Sequence, residues 1–149
     1  MAPADNRRAV LRAELKRHNG ADPAACPPLE KHRKMAENPL RFLRGSAHLF
    51  YTDLAKQRWR LPQDLLTEVP LTRVQGDCHV ANFGFLTEQG SHGDSVVFAP
   101  NDYDDACVGH AGWDLARYLI SLRLATDFGQ GLLSGDYVSD EIDELCDLK

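Results

Sequence analysis

Residues 71–76 (Leu-Thr-Arg-Val-Gln-Gly) mark the point at which the hydrophobic pattern of the chain changes. Their apolar and polar side chains roughly alternate, as in a half-buried strand. Residues 95–99 (Ser-Val-Val-Phe-Ala) form the clearest strand, and residues 82–86 form a second short one. The Gln-Gly and His-Gly pairs within residues 88–94 indicate a turn between them. The middle of the chain therefore predicts a strand, a loop and a β-hairpin.

The flanking segments have helical patterns instead. Residues 6–18 and 29–37 predict helices, and Ser46 is a reasonable N-cap for a third helix that runs to about residue 58. Residues 113–125 are apolar on most sides, which predicts a buried helix. We expect an α+β fold in which helices surround a small antiparallel β-hairpin unit.

The length of the chain suits a single domain, because 149 residues can bury a sizeable core. We expect residues 1–30 to form a basic helical arm and a connector, and residues 31–126 to form the motif-bearing region. Residues 127–149 would be a loose acidic tail that includes a final helix over residues 137–148.

The net charge of −5 conceals a strong asymmetry. Residues 1–60 carry 13 Lys and Arg against 6 Asp and Glu, whereas residues 61–149 carry 4 against 16. A basic helical face that packs against an acidic one would explain most of these charges. The functional alternative is that the acidic part holds cations and the basic part faces an anionic ligand. No aromatic residues interleave with the N-terminal basic ones, so we do not expect a nucleic-acid partner.

Two further patterns concern the cell compartment. No apolar run approaches the ~20 residues of a membrane span, and the polar N-terminus has no apolar signal-peptide core. We therefore expect a cytoplasmic protein without a membrane partner.

The cysteines are scattered along the chain, at Cys26, Cys78, Cys107 and Cys146. They form no C-x-x-C pair, so free thiols are favoured over a disulfide framework. Zinc is disfavoured because Cys78 and its neighbour His79 would point in different directions on a regular backbone.

The first chemical motif is residues 76–83 (Gly-Asp-Cys-His-Val-Ala-Asn-Phe). Asp77 lies at a strand end, where a carboxylate can orient or deprotonate a hydroxyl. Asn82 offers a neutral oxygen ligand five residues later. A turn in which Asp77 and Asn82 cap backbone groups explains the motif equally well. His79 would support this loop through hydrogen bonds or, less commonly, act as an acid.

The second motif is residues 101–105 (Asn-Asp-Tyr-Asp-Asp). Its three carboxylates repel one another unless a cation neutralises them or solvent screens them. We expect partial burial, because the motif lies between the clearest strand and the strongest helix, and this favours a metal site. Asp102 is the first candidate ligand and Asp104 the second, with a solvated acidic turn as the alternative.

Three further residues carry weaker signals. Asp114 lies in the first turn of the last helix and forms an i,i+3 pair with Arg117, which accounts for both residues structurally. The functional alternative is that Asp114 reaches back to brace the loop that carries Asp77. Arg44 follows an apolar pair and precedes a glycine, so its guanidinium is a candidate phosphate clamp, although most single arginines face solvent.

Taken in order, these motifs resemble a bacterial family called domain of unknown function 2252. The resemblance rests on Gly76-Asp77-x-His79-x-x-Asn82-Phe83-Gly84, residues 101–106, Gly109 and Trp113-Asp114-Leu115-x-Arg117, with residues 42–45 upstream. The same order is similar to aminoglycoside phosphotransferases and other members of the protein-kinase-like superfamily. It covers roughly residues 31–124, and the ordered combination is more specific than any single motif.

The kinase-like resemblance implies a role for each matched residue. It implies that Asp77 is the catalytic residue that accepts the proton of the substrate hydroxyl, and that Asn82 and Asp102 hold Mg²⁺ against the phosphates of ATP. Asp104 would add a ligand or be exposed. Asp114 would brace the catalytic loop.

The same resemblance implies two cofactors, Mg²⁺ and ATP. We assign Arg44 and His79 to the cofactor side of the site and Arg117, with Asp114, to its structural support.

The larger departure of the chain from the kinase pattern concerns the segments that handle phosphates. The chain has no Gly-x-Gly-x-x-Gly loop and no strand lysine in a Val-Ala-Ile-Lys setting, both of which handle phosphates in protein kinases. We therefore expect an incomplete domain that corresponds to the catalytic-loop part of a kinase-like C-lobe, such as the N-terminal fragment of a longer protein.

Three functions follow as hypotheses. The first is a Mg²⁺- and ATP-dependent phosphotransferase that acts on a small molecule or a protein. The second is a non-catalytic metal- or nucleotide-binding remnant, or a subunit that self-associates or is completed by another chain. The third is a metal-dependent phosphohydrolase that uses Asp102 and Asp104 on water.

Overall fold

The structure is a computed structural model that describes residues 7–67 and 70–134, apart from the side chains of residues 65, 67 and 132. The chain divides into two compact units, Met1–Arg60 and Leu61–Lys149. The fold is α+β, as predicted, with helices in both units and two small antiparallel sheets in the second. No helix in the described residues has both the length and the apolar character needed to cross a membrane.

The first unit is helical. Its helices are α1 (Arg7–Asn19), α2 (Glu30–Met35), α3 (Pro39–Arg44) and α4 (Ala47–Ala55). The predicted helices at residues 6–18 and 29–37 are confirmed by α1 and α2. The core of this unit consists of buried apolar side chains from all four helices, namely Leu15, Met35, Leu40, Ala47, Leu49 and Phe50.

The prediction that Ser46 caps a helix is wrong in its mechanism. Ser46 does precede α4, but its hydroxyl makes no capping bond and instead donates to the carbonyl of Phe42 at 2.5 Å. The side-chain cap lies one helix earlier, where Asn38 accepts a hydrogen bond from the backbone N–H of Arg41 at 2.8 Å. Pro39 follows at the first helical position, where its missing N–H costs nothing. The sequence Asn-Pro therefore begins α3 rather than only ending α2.

The second unit contains the strands. After the short helix α5 (Asp64–Thr67), β1 (Leu71–Val74) pairs with β4 (Cys107–His110), and β2 (Phe83–Thr87) pairs with β3 (Val96–Pro100). The predicted first strand and the β-hairpin are confirmed, whereas β4 was not predicted. Val74 at the end of β1 lies opposite Cys107 at the start of β4. The loop that leaves β1 and the loop that enters β4 therefore meet at the same end of this sheet.

The last described helix, α6 (Ala111–Ser134), is longer than predicted. Its buried face is not formed by the leucines from which burial was predicted. Leu115, Leu119 and Leu122 are exposed, whereas Arg117 and Ser121 are fully buried. The prediction of an apolar, buried helix is wrong because the face that packs against β1 and the following loop carries polar side chains.

The C-terminal part of α6 falls within the segment expected to be a loose tail. Residues 127–134 belong to the helix, and Phe128 is buried there, which favours its continuation beyond residue 125. The helix expected over residues 137–148 lies outside the described residues.

Candidate functional site

The start of the loop that follows β1 is held by a carboxylate of α6. Asp114, in the first turn of α6, accepts hydrogen bonds from the backbone N–H groups of Gln75 at 2.6 Å and Gly76 at 3.2 Å. Charge-assisted bonds of this kind are roughly twice as strong as neutral ones. Asp114 thus fixes the backbone immediately before Asp77.

Asp77 lies between two buried basic side chains. Arg117 donates from Nε to Asp77 Oδ1 at 2.9 Å and makes a second contact with the same oxygen through Nη2. His79 places Nε2 3.6 Å from Asp77 Oδ2. The Arg117 side chain is fully buried, and the Asp77 side chain keeps 20% of its exposure. The carboxylate of Asp77 is therefore held on both sides and remains accessible in part.

These contacts decide the protonation state of Asp77. Burial by itself raises the pKa of this carboxyl. The imidazole of His79 and the charge and hydrogen bonds of Arg117 act in the opposite direction and prevail, so that the pKa of Asp77 lies below the ordinary value. Asp77 is thus ionised at neutral pH. A carboxylate with a lowered pKa accepts a hydrogen bond well but holds a proton poorly, which suits it to orient a hydroxyl.

Asn82 ends a single 3-10 turn, Val80–Asn82, that closes the loop. Its side-chain nitrogen donates to the carbonyl of Asp77 at 3.0 Å. This bond directs the amide, so the side-chain oxygen is the atom that remains for a cation or a hydrogen-bond donor. The buried hydroxyl of Ser121 accepts from the backbone N–H of Val80 at 2.9 Å and anchors the same turn to α6.

We call the loop around Asp77 and the loop of residues 101–106 the two acidic loops. The second of them is exposed throughout. Partial burial was expected there and is wrong, because β4 intervenes between the loop and α6. Asp102 Oδ1 accepts a long bond of 3.3 Å from the backbone N–H of Asp104, which is the geometry of an Asx turn. The carboxylates of Asp102 and Asp104 are therefore open to solvent and to a ligand.

The two acidic loops are joined by close backbone contacts. Gly76 has a φ of +86°, and a Cβ at this position would lie 2.1 Å from the carbonyl oxygen of Asp105. Only glycine permits both this backbone conformation and this approach. The backbone N–H of Asn101 also donates to the carbonyl of Asn82 at 3.0 Å.

Gln75 joins the same loops through its side chain, and the sequence analysis did not identify it. Its Nε2 donates to the carbonyl of Asp102 at 2.8 Å and lies 3.5 Å from the carbonyl of Asn82. The only signal in the sequence is a polar residue directly before the Gly-Asp pair. That signal is too weak to predict a contact with a loop 27 residues away.

Most of the candidate residues thus belong to one connected structure. His79 and Arg117 both lie against Asp77, Asn82 and Asp114 hold the same loop, and Asp102 and Asp104 lie on the loop beside it. Arg44 ends α3 in the first unit. The assignments of Arg44 and His79 to a cofactor stay predictions.

Metal ligands and thiols complete the description of the site. No group of three or more His, Cys, Asp or Glu side chains in residues 7–67 and 70–134 forms a ready metal cage. A Mg²⁺ site of one or two carboxylates and substrate phosphates does not need such a cage.

The described cysteines are free, and burial raises the pKa of Cys78 to about 11, which makes it unreactive.

Comparison with known proteins gives one match. A family model described as an uncharacterised protein conserved in bacteria, DUF2252, matches residues 23–134. No curated protein and no solved structure matches the chain. The matched segment is about three quarters of the chain and contains both acidic loops together with Asp114 and Arg117. The chain therefore belongs to the DUF2252 family of bacterial proteins.

Proposed function

We propose that this chain is a kinase-like phosphotransferase that uses Mg²⁺ and ATP to phosphorylate a hydroxyl group of a small molecule or a protein. The observation that supports this most is the junction of the two acidic loops at one end of the β1–β4 sheet. There the backbone N–H of Asn101 donates to the carbonyl of Asn82, and the side chain of Gln75, two residues before Asp77, donates to the carbonyl of Asp102. Phosphoryl transfer depends on such positioning more than on covalent chemistry by the protein.

Asp77 would orient the acceptor hydroxyl. It is ionised, and Arg117 and His79 hold it in one orientation. Its partly exposed carboxylate can accept a hydrogen bond from the hydroxyl, which turns an oxygen lone pair of the acceptor toward the phosphorus.

Asn82 and Asp102 would hold the cation, with Asp104 as a further ligand. The donor set fits Mg²⁺, because it consists of hard oxygen atoms and few carboxylates. Mg²⁺ would supply neutralisation of charge on the phosphate oxygens. The amide of Asn82 already directs its nitrogen to Asp77, so its oxygen does not need to reorient before it binds.

The nucleotide side of the site is less complete in this sequence. Arg44 and His79 are the proposed cofactor-binding residues, and the sequence has no Gly-rich phosphate loop. We therefore expect weak binding of Mg·ATP and slow phosphoryl transfer by the chain alone, both of which self-association or a completing chain would increase.

A metal-dependent phosphohydrolase is the second candidate. The observation that favours it is the exposure of residues 101–106, since water reaches Asp102 and Asp104 freely. A kinase usually excludes water from this position.

One assay separates these functions. ADP and free phosphate are measured in parallel with Mg·ATP, with and without a mixture of hydroxyl acceptors. A phosphotransferase forms ADP in excess of phosphate when acceptors are present, and Asp77→Asn abolishes the excess. A hydrolase forms both products equally without acceptor, and Asp104→Asn abolishes both. Asp127→Asn, in an exposed ion pair of α6, is the matched control. ADP formation that persists in Asp77→Asn would contradict the proposal.

A further inference from the structure

We propose that Gln75 is a positioning residue that sets the separation of Asn82 and Asp102, so that both can contact one cation. The inference rests on the proposed function, because it concerns the same cation site. Gln75 would not touch the cation or the nucleotide. It would act through the backbones of the two loops that carry the ligands.

Gln75 is held both at its backbone and at the end of its side chain. Its backbone N–H donates to Asp114 at 2.6 Å, and the residue is only 5% exposed. At the other end, Nε2 reaches the carbonyls of Asp102 and Asn82 at 2.8 and 3.5 Å. A single buried residue therefore links the start of α6, through its backbone, to both loops, through its side chain.

The orientation of this amide is determined by its neighbours. Carbonyl oxygens only accept hydrogen bonds, so the nitrogen and not the oxygen of the amide must face Asp102 and Asn82. The amide oxygen is buried on the other side and has no hydrogen-bond partner within the described part of the chain. A buried acceptor without a partner loses its bonds to water and destabilises the fold. A residue that only filled space would not need a side-chain amide with a buried oxygen. A residue that must present a donor to two carbonyls does need the amide.

Asp102 is held in part through its neighbour Asn101, whose backbone N–H donates to the carbonyl of Asn82 at 3.0 Å. Its own side chain accepts a bond of 3.3 Å from within the same loop, and the loop is exposed. The 2.8 Å bond from Gln75 acts directly on the backbone of Asp102. Mg²⁺ requires nearly ideal octahedral geometry with ligand distances of about 2.0–2.1 Å. A small displacement of Asp102 relative to Asn82 would therefore weaken cation binding.

The test uses Mn²⁺ with a non-hydrolysable ATP analogue, followed by electron paramagnetic resonance. Gln75→Met keeps the length of the side chain and removes the donor. Gln75→Glu keeps the shape and sets a carboxylate against two carbonyls. Phe128→Leu is the control for lost stability, because Phe128 is also buried and lies on the C-terminal part of α6, outside the proposed site.

We expect Gln75→Met to weaken Mn²⁺ binding by about fivefold to tenfold, the equivalent of one lost hydrogen bond, and Gln75→Glu to weaken it further. The spectrum of the remaining bound Mn²⁺ should also change, which a loss of stability alone would not cause. Gln75→Asn keeps an amide one methylene shorter and should fall between Gln75→Met and the unaltered chain. Phe128→Leu should lower the melting temperature while affinity and spectrum stay unchanged.

The outcomes separate the two proposals. If the unaltered chain binds Mn²⁺ with the analogue but Gln75→Met and Gln75→Asn bind it equally well with the same spectrum, the role of Gln75 is refuted and the proposed function stands. If Phe128→Leu weakens binding as much as Gln75→Met does, the effect is structural and the role of Gln75 is again refuted. If the unaltered chain binds no Mn²⁺ with the analogue, the proposed function fails and the inference fails with it.

Discussion

Arg117, fully buried in α6, directs its guanidinium at a single oxygen of Asp77 on the loop after β1. A charge buried to this extent is costly unless it is paired. Arg117 is therefore stable in this position because Asp77 is ionised, and the pKa of Asp77 lies below its ordinary value partly because Arg117 is there. This pair connects the long helix to the loop with the proposed catalytic residue.

The Asp77–Arg117 pair predicts a large asymmetry between arginines on α6. Arg117→Met would leave Asp77 without its main charge partner and should lower the free energy of unfolding by about 3–5 kcal/mol. Arg123→Met removes an exposed ion pair with Asp127 and should cost less than about 1 kcal/mol. Urea unfolding followed by Trp113 fluorescence in a Trp59→Phe background measures both. Equal losses for the two variants would contradict the role of this pair.

Two glycines with nearly the same backbone conformation provide a second prediction. Gly76 and Gly90 have φ of +86° and +88°, but only Gly76 has a neighbour that a Cβ would strike. Gly90→Ala should cost about 1–2 kcal/mol, the ordinary penalty for a left-handed residue. Gly76→Ala carries the same penalty and must also displace the Asp105 backbone, so it should cost at least about 1 kcal/mol more.

The same urea titration compares the two alanine variants. If Gly76→Ala and Gly90→Ala lose the same stability, the two acidic loops do not approach each other as described.

A pair of stacked histidines in the first unit predicts a loss of stability in mild acid. The rings of His18 and His48 have centroids 3.8 Å apart. Burial, together with the nearby charges of His18 and Lys31, lowers the pKa of His48 to about 4. The unfolded chain, with a histidine pKa of about 6.5, then binds more protons than the folded chain between these values. The contribution of His48 is thus complete above about pH 6.5 and is lost as the pH falls toward 4.

Urea unfolding of a Trp113→Phe variant, followed by Trp59 fluorescence at several pH values, measures this dependence. Glu14, near both histidines, and Arg17, near His48, also influence the slope, and His48→Phe should remove most of it. A free energy of unfolding for the first unit that is flat between pH 4.5 and 7 would contradict the neutral state of His48.

The local pattern of the sequence predicted those elements whose signal lies within a few residues. The rough alternation of residues 71–76 and the apolar run within residues 95–99 indicated two of the strands. β4 was missed because residues 107–110 (Cys-Val-Gly-His) have no such alternation, and their strand structure depends on pairing with β1. The buried face of α6 was missed for a related reason: Arg117 and Ser121 bind groups of a distant loop, whereas hydropathy favoured the leucines.

The sequence allowed the candidate residues to be named, but it did not predict how they are arranged in space. The spacing of Asp77, Asn82 and Asp102 indicated hard ligands and a hydroxyl-orienting carboxylate. The roles of Gln75 and Gly76 were not accessible, because both depend on how closely two loops approach each other across the end of a sheet. Asp114 had two interpretations in the sequence, and its bonds to the backbone of Gln75 and Gly76 correspond to the functional one.

The central claim is that Asp102 and Asn82 hold a cation that carries ATP, and a calorimetric titration of the chain with ATP tests it most directly. The titration is performed with Mg²⁺ and with EDTA, on the unaltered chain, Asp102→Asn and the control Asp127→Asn. We predict binding that requires Mg²⁺, that weakens by about tenfold or more in Asp102→Asn, and that is unchanged in Asp127→Asn. The absence of Mg²⁺-dependent binding, or equal affinity of Asp102→Asn and the unaltered chain, would contradict the claim.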